Sequence, residues 1–114
     1  MIWLALTLIA ALAATTASQA LEESRALAEA GSAAEGAELL EPWVRRYPQD
    51  YALVLELAWL EFQAEDYTAS LKYYRLAEQL SGGAWEPRTG IAWCLLRLGD
   101  SKAKAAIATL ENER

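Results

Sequence analysis

Histidine is absent from this chain, and cysteine occurs once, at Cys94. A lone cysteine has no partner for an internal disulfide. Without an imidazole or a second thiol, the ligand set of a zinc site is also missing. Trp93, Leu95 and Leu96 flank Cys94, which marks it as a small buried hydrophobe rather than a nucleophile. No phosphate-cradling loop is present: Gly82-Gly83 is the one glycine pair, and neither Lys-Ser nor Lys-Thr follows it. Catalysis needs a base and a nucleophile converging in one pocket. The carboxylates here, Glu22, Glu23, Glu78 and Glu111 among them, read instead as caps and charges on helix faces. The expectation is therefore no enzyme, no catalytic residue, no metal site and no cofactor.

Positive charge is scarce. Ten Lys and Arg face 16 Asp and Glu, for a net charge of −6. An acidic domain with no basic stripe argues against nucleic acid and anionic headgroups as partners, and such a surface mainly serves solubility. From Met1 to Ala20 there is no charged side chain at all.

That uncharged segment is the first feature present in strength. Ile2 to Ala14 is an almost unbroken apolar run, and Thr15-Thr16-Ala17-Ser18-Gln19-Ala20 follows it. Ser18 and Ala20 fit the minus-three and minus-one positions of a signal-peptidase site, so residues 1–20 read as a signal peptide cut after Ala20. Two other readings stand beside it. An uncleaved anchor needs about 20 apolar residues, and this run reaches that only if Thr, Ser and Ala extend it. A buried cytosolic helix is the third. No Lys or Arg precedes the run to set an orientation, and no Cys follows it as a lipid-anchor site would require. The expected location is extracytoplasmic, periplasmic or secreted, or held at the membrane by the same segment.

The rest of the chain repeats. Leu57-Ala58-Trp59 returns as Ile91-Ala92-Trp93, and Asp66 returns as Asp100, each 34 residues on. Gly31, Glu65 and Gly99 keep the same interval, and each precedes a helix-capping residue: Ser32, Asp66 and Asp100. A period of this length marks a two-helix unit that buries its apolar face only by stacking on a neighbour. Units of about 17–50, 51–84 and 85–114 follow. Helices are expected near 21–30, 33–46, 51–64, 67–81, 86–98 and 101–112, within one repeat domain, 21–114. Ser32-Ala33-Ala34-Glu35 forms a capping-box pattern. Gly82-Gly83 is a helix stop, and Pro87 suits a first turn. Pro42, interior to its helix, predicts a kink or break near Leu39–Glu41, with Trp43 and Val44 still packed.

These residues resemble the tetratricopeptide repeat family. Ala58, Asp66-Tyr67, Ser70, Tyr74 and Ala77 match its pattern best, Ala92 and Gly99-Asp100 carry it onward, and Gly36, Leu40 and Pro48 carry it in the first unit. Trp43, Ala105 and Ala108 depart from it. The resemblance implies an all-α solenoid of about three helix-turn-helix units after the N-terminal segment. It also implies that the first helix of each unit lines a concave face. On that face stand Leu55, Trp59 and Phe62 with Gln63 at the rim, then Thr89, Trp93 and Leu96 with Arg97 at the rim. The first unit offers Leu21, Arg25 and Glu29.

The tryptophans carry two readings: anchors of a partner-binding groove, or core. Chaperone-binding members hold a C-terminal carboxylate with Lys and Asn on this face. Leu55, Trp59 and Trp93 stand there instead, leaving only Arg97, so that ligand is not expected. The function expected is a scaffold that binds a protein or peptide, with partner-binding residues Leu55, Trp59, Phe62, Gln63, Thr89, Trp93 and Arg97. The alternative is a repeat fragment of a longer envelope protein. At the C-terminal edge nothing follows to cover Leu96, Ile107 or Leu110, so self-association, a docked partner or a longer chain is expected there.

Overall fold

The computed structural model describes residues 16–99, and these residues are all-helical. The elements are α1 (Ala17–Glu29), α2 (Ala33–Arg46), α3 (Tyr51–Gln63), α4 (Tyr67–Ser81) and α5 (Trp85–Arg97). The apolar run at the start and the helix expected over 101–112 lie outside the described residues, as do Ile107 and Leu110.

Local chemistry sets the boundaries. The Thr16 hydroxyl accepts from the Gln19 amide at 3.1 Å, and the Asp50 carboxylate accepts from the Leu53 amide at 3.3 Å. Both are N-caps, 34 residues apart. Helix α1 thus begins at Ala17, earlier than expected, and the expected cleavage point after Ala20 falls in its first turn, where Ala20 is buried. Asp66 caps α4 through the Ala69 amide. Ser32 holds the N-cap position of α2 but makes no side-chain cap bond, so the capping box is not formed; its backbone there is not extended, as a capping residue's usually is.

Each first helix stops in the same way. Gly31, Glu65 and Gly99 all have positive φ, at 85°, 65° and 85°. The Ser32 amide donates to the Leu27 carbonyl, and the Asp66 amide to the Glu61 carbonyl, closing the chain back over the helix end. Pro42 does not break α2, which runs unbroken past it. Pro42 and Glu38 are both exposed, so water can take the place of the missing amide at the Glu38 carbonyl. Val44 is buried and Trp43 packs on the core.

Small residues let the helices of a pair approach. Ser24, Ala58 and Ala92, again 34 apart, are fully buried. Opposite Ser24 stands Gly36, where an added β-carbon would lie 2.7 Å from the Ser24 carbonyl oxygen. Opposite Ala58 stands Ser70, whose hydroxyl donates to the Ala58 carbonyl at 2.7 Å. The Cys94 thiol donates to the same Ser70 oxygen at 3.3 Å, tying α5 to α4 and α3. Burial raises the thiol pKa, in keeping with a packing role.

Two apolar clusters result. The larger joins Leu40 and Val44 of α2 to Leu53, Val54, Leu57 and Leu60 of α3 and Ala77 of α4. The smaller joins Ala58, Tyr74 and Cys94. Helix packing is repeat-like: each helix packs on its sequence neighbours. In addition the backbones of α1 and α3, and of α3 and α5, approach closely, whereas those of α2 and α4 do not. The first helices of the pairs therefore lie closer together than the second helices and form the inner side of the array.

Candidate functional site

A groove of about 680 Å³ runs along that inner side. Helix α1 contributes Arg25 and Glu29; α3 contributes Tyr51, Ala52, Leu55, Glu56 and Trp59; α5 contributes Trp85, Glu86, Thr89, Gly90 and Trp93. Tyr74 of α4 forms part of the floor.

The lining of α3 recurs position by position on α5 at the 34-residue interval. Tyr51 matches Trp85, Ala52 matches Glu86, Leu55 matches Thr89, Glu56 matches Gly90, and Trp59 matches Trp93. Arg25 falls in register with the last pair. On each helix these positions recur about one turn apart, as 51, 55 and 59 and as 52 and 56 on α3, so one stripe of each helix faces the groove. Tyr51 and Trp59 are two turns apart, about 12 Å along the axis. Aromatic rings therefore stand at both ends of the stripe on α3 and again on α5.

Trp59 and Trp93 are 40% and 43% exposed, so neither is a fully buried core residue, and both line the groove. Trp85 is exposed as well. Of the residues expected on this face, Leu55, Trp59, Thr89 and Trp93 line the groove together with Arg25 and Glu29. Phe62, Gln63 and Arg97 are not part of its wall. Phe62 meets the Tyr67 ring edge-on at 5.2 Å, and the Arg97 guanidinium lies 5.9 Å from the Phe62 ring centroid. Arg97 is thus held by an aromatic face beyond the groove.

Tyr51, Trp85, Glu56 and Glu86 are groove residues that the sequence reading does not single out, although extending the Trp59–Trp93 register by two turns reaches Tyr51 and Trp85.

The charge in the groove is mostly negative. Arg25 is its one cation, and Nε donates to Glu56 Oε1 at 3.0 Å. Glu56, Glu29 and Glu86 are its carboxylates. Burial raises the pKa of Tyr51, and Glu86 raises it further. Tyr74 is also raised, chiefly by burial, then by Cys94, Glu56 and Glu86. Both phenols thus remain neutral at physiological pH and offer O–H groups. Among the described residues no helix is long and apolar enough to cross a membrane.

Neither a protein-family model nor a curated protein matches the chain.

Proposed function

We propose that this chain is a non-enzymatic interaction scaffold, a helix-turn-helix solenoid of the tetratricopeptide kind. It takes a protein or peptide partner in the groove between α1, α3 and α5. The observation that supports this reading most is the exposure of Trp59 and Trp93 on a wall that repeats from α3 to α5. An exposed, rigid aromatic pair in a preformed apolar groove provides the anchors that carry most of the energy in recognition. Repetition at a fixed interval matches an extended or helical segment, which also presents side chains at fixed intervals. The uncharged N-terminal segment supports export, or attachment to a membrane, as the setting in which the partner is met.

Selection of peptides from a random display library against the full chain tests the binding reading. Selected peptides are expected to lose about 30-fold in affinity on Trp59→Ala or Trp93→Ala, the scale of a hot-spot truncation. They are expected to be indifferent to Trp43→Ala, since Trp43 packs elsewhere, on the core. Peptides whose binding ignores both groove tryptophans would refute the proposed face.

A further inference from the structure

We infer that the groove is built for a cationic side chain, an arginine or lysine presented by the partner segment. This rests on the groove reading above and names the chemistry of its ligand. Trp59 and Trp93 are partly exposed, and Trp is the ring that attracts a cation best. The carboxylates of Glu29, Glu56 and Glu86 line the same groove, against the single cation Arg25. Arg25 is already engaged by Glu56 at 3.0 Å, so its charge is locally neutralised.

Position adds to composition. Helices α1, α3 and α5 hold equivalent places in the repeat. Arg25, Trp59 and Trp93 stand in one register row, in the C-terminal half of each helix, and Glu29 lies one turn further along α1. The described residues already make this kind of contact in three places: Arg97 sits over the Phe62 ring, Lys72 Nζ lies 5.1 Å from the Tyr73 centroid, and the Arg46 guanidinium lies 5.5 Å from the Tyr47 centroid. An incoming guanidinium over Trp59 and Trp93, facing Glu29, is the same pairing supplied from outside. With Arg25 and Glu56 offsetting each other, an acidic ligand would meet the net negative charge of Glu29 and Glu86, and is disfavoured.

The test titrates the full chain with the capped tripeptide acetyl-Gly-Arg-Gly-amide. Its citrulline isostere, which is neutral, and its glutamate counterpart serve as controls. The indole N–H signals are followed by NMR and assigned by single Trp→Phe variants. The arginine peptide is expected to shift the Trp59 and Trp93 signals and leave Trp43 still. The citrulline peptide is expected to bind about three- to fivefold more weakly, the scale of an exposed cation–π contact. Glu29→Gln should weaken the arginine peptide and leave the citrulline peptide unchanged; Glu29 is exposed, so this variant keeps the fold. Equal binding of the arginine and citrulline peptides, or tightest binding of the glutamate peptide, overturns the inference. So do indole signals that move with protein concentration alone, which would place a second copy in the groove.

The display selection keeps the two levels apart. Groove-binding peptides without Arg or Lys would overturn the cation and leave the groove. A library that yields no peptide dependent on Trp59 or Trp93 would overturn both.

Discussion

The Tyr74 ring occupies the place where a β-carbon at position 90 would stand. An ideal β-carbon built on Gly90 lies 2.5 Å from Tyr74 Cε1 and Cζ. Tyr74 is buried, so its ring has little room to retreat. Gly90→Ala gains about 1 kcal/mol of helix propensity. It also overpacks the α4–α5 contact, at about 1–3 kcal/mol. The clash is expected to win, lowering the thermal midpoint by several degrees. Combining it with Tyr74→Leu should remove most of that loss, a coupling that a double-mutant cycle measures. Simple additivity would show that the two positions do not touch.

Gly36→Ala is expected to cost more than Gly90→Ala. The atom in its way is the Ser24 carbonyl oxygen, at 2.7 Å, and backbone yields less readily than a ring edge. Widening the α1–α2 crossing also loosens Leu40 in the core. Chemical denaturation should show the larger fall in midpoint for Gly36→Ala; a rise would mean the crossing is wider than described.

Glu65→Gly is expected to stabilise the fold. Glu65 holds φ at +65° where its register partners Gly31 and Gly99 are glycines. A non-glycine residue pays on the order of 1 kcal/mol in that region. Glycine offsets part of the gain through the extra entropy of the unfolded chain. A net gain of about 0.5 kcal/mol should raise the thermal midpoint by a few degrees. A fall would show that the Glu65 side chain contributes something the turn geometry does not reveal.

Glu61 should make stability fall as pH rises. Burial raises its pKa above 4.5, and Asp66, Glu41 and Glu38 raise it further. The folded state therefore binds this proton more tightly than the unfolded chain does. The benefit is complete below the unfolded pKa and is lost as pH climbs through the folded value. Glu61→Gln, which cannot ionise, is expected to gain on the order of 1–2 °C at neutral pH, solvent screening keeping it small. Near pH 3 the gain should vanish. Thermal scans of both proteins across that range decide it, and an equal gain at every pH would exclude ionisation as the cause.

Removing residues through Ala20 is expected to weaken α1. The cut deletes the Thr16 cap, which accepts from the Gln19 amide, and takes Ala20 out of the core. Loss of a cap alone costs about 1 kcal/mol. A chain starting at Leu21 should melt several degrees below one starting at Thr15. Equal midpoints would show that the first turn of α1 contributes nothing.

The repeat interval, the helix stops and the small residues at the crossings are legible in the sequence, because each is local chemistry. Positive φ needs glycine or a tolerated exception, an N-cap needs a side-chain acceptor, and a close crossing needs a small residue. Ala58 and Ala92 recur at the 34-residue interval, and the resemblance to the tetratricopeptide pattern implies that they are packing positions. Tertiary structure alone decided which stripe of each first helix meets solvent. Trp59 and Trp93 carry the same periodicity whether core or groove, because periodicity fixes a face and not what covers it. Their exposure follows from how far apart α1, α3 and α5 stand, and the close approaches at Ser24–Gly36 and Tyr74–Gly90 help to set that spacing. Arg97 shows the converse: its register placed it at the groove rim, but a nearby aromatic face at Phe62 holds it elsewhere. The physical reason is that a cation on a long side chain settles on the best ring within reach, and sequence spacing does not measure reach.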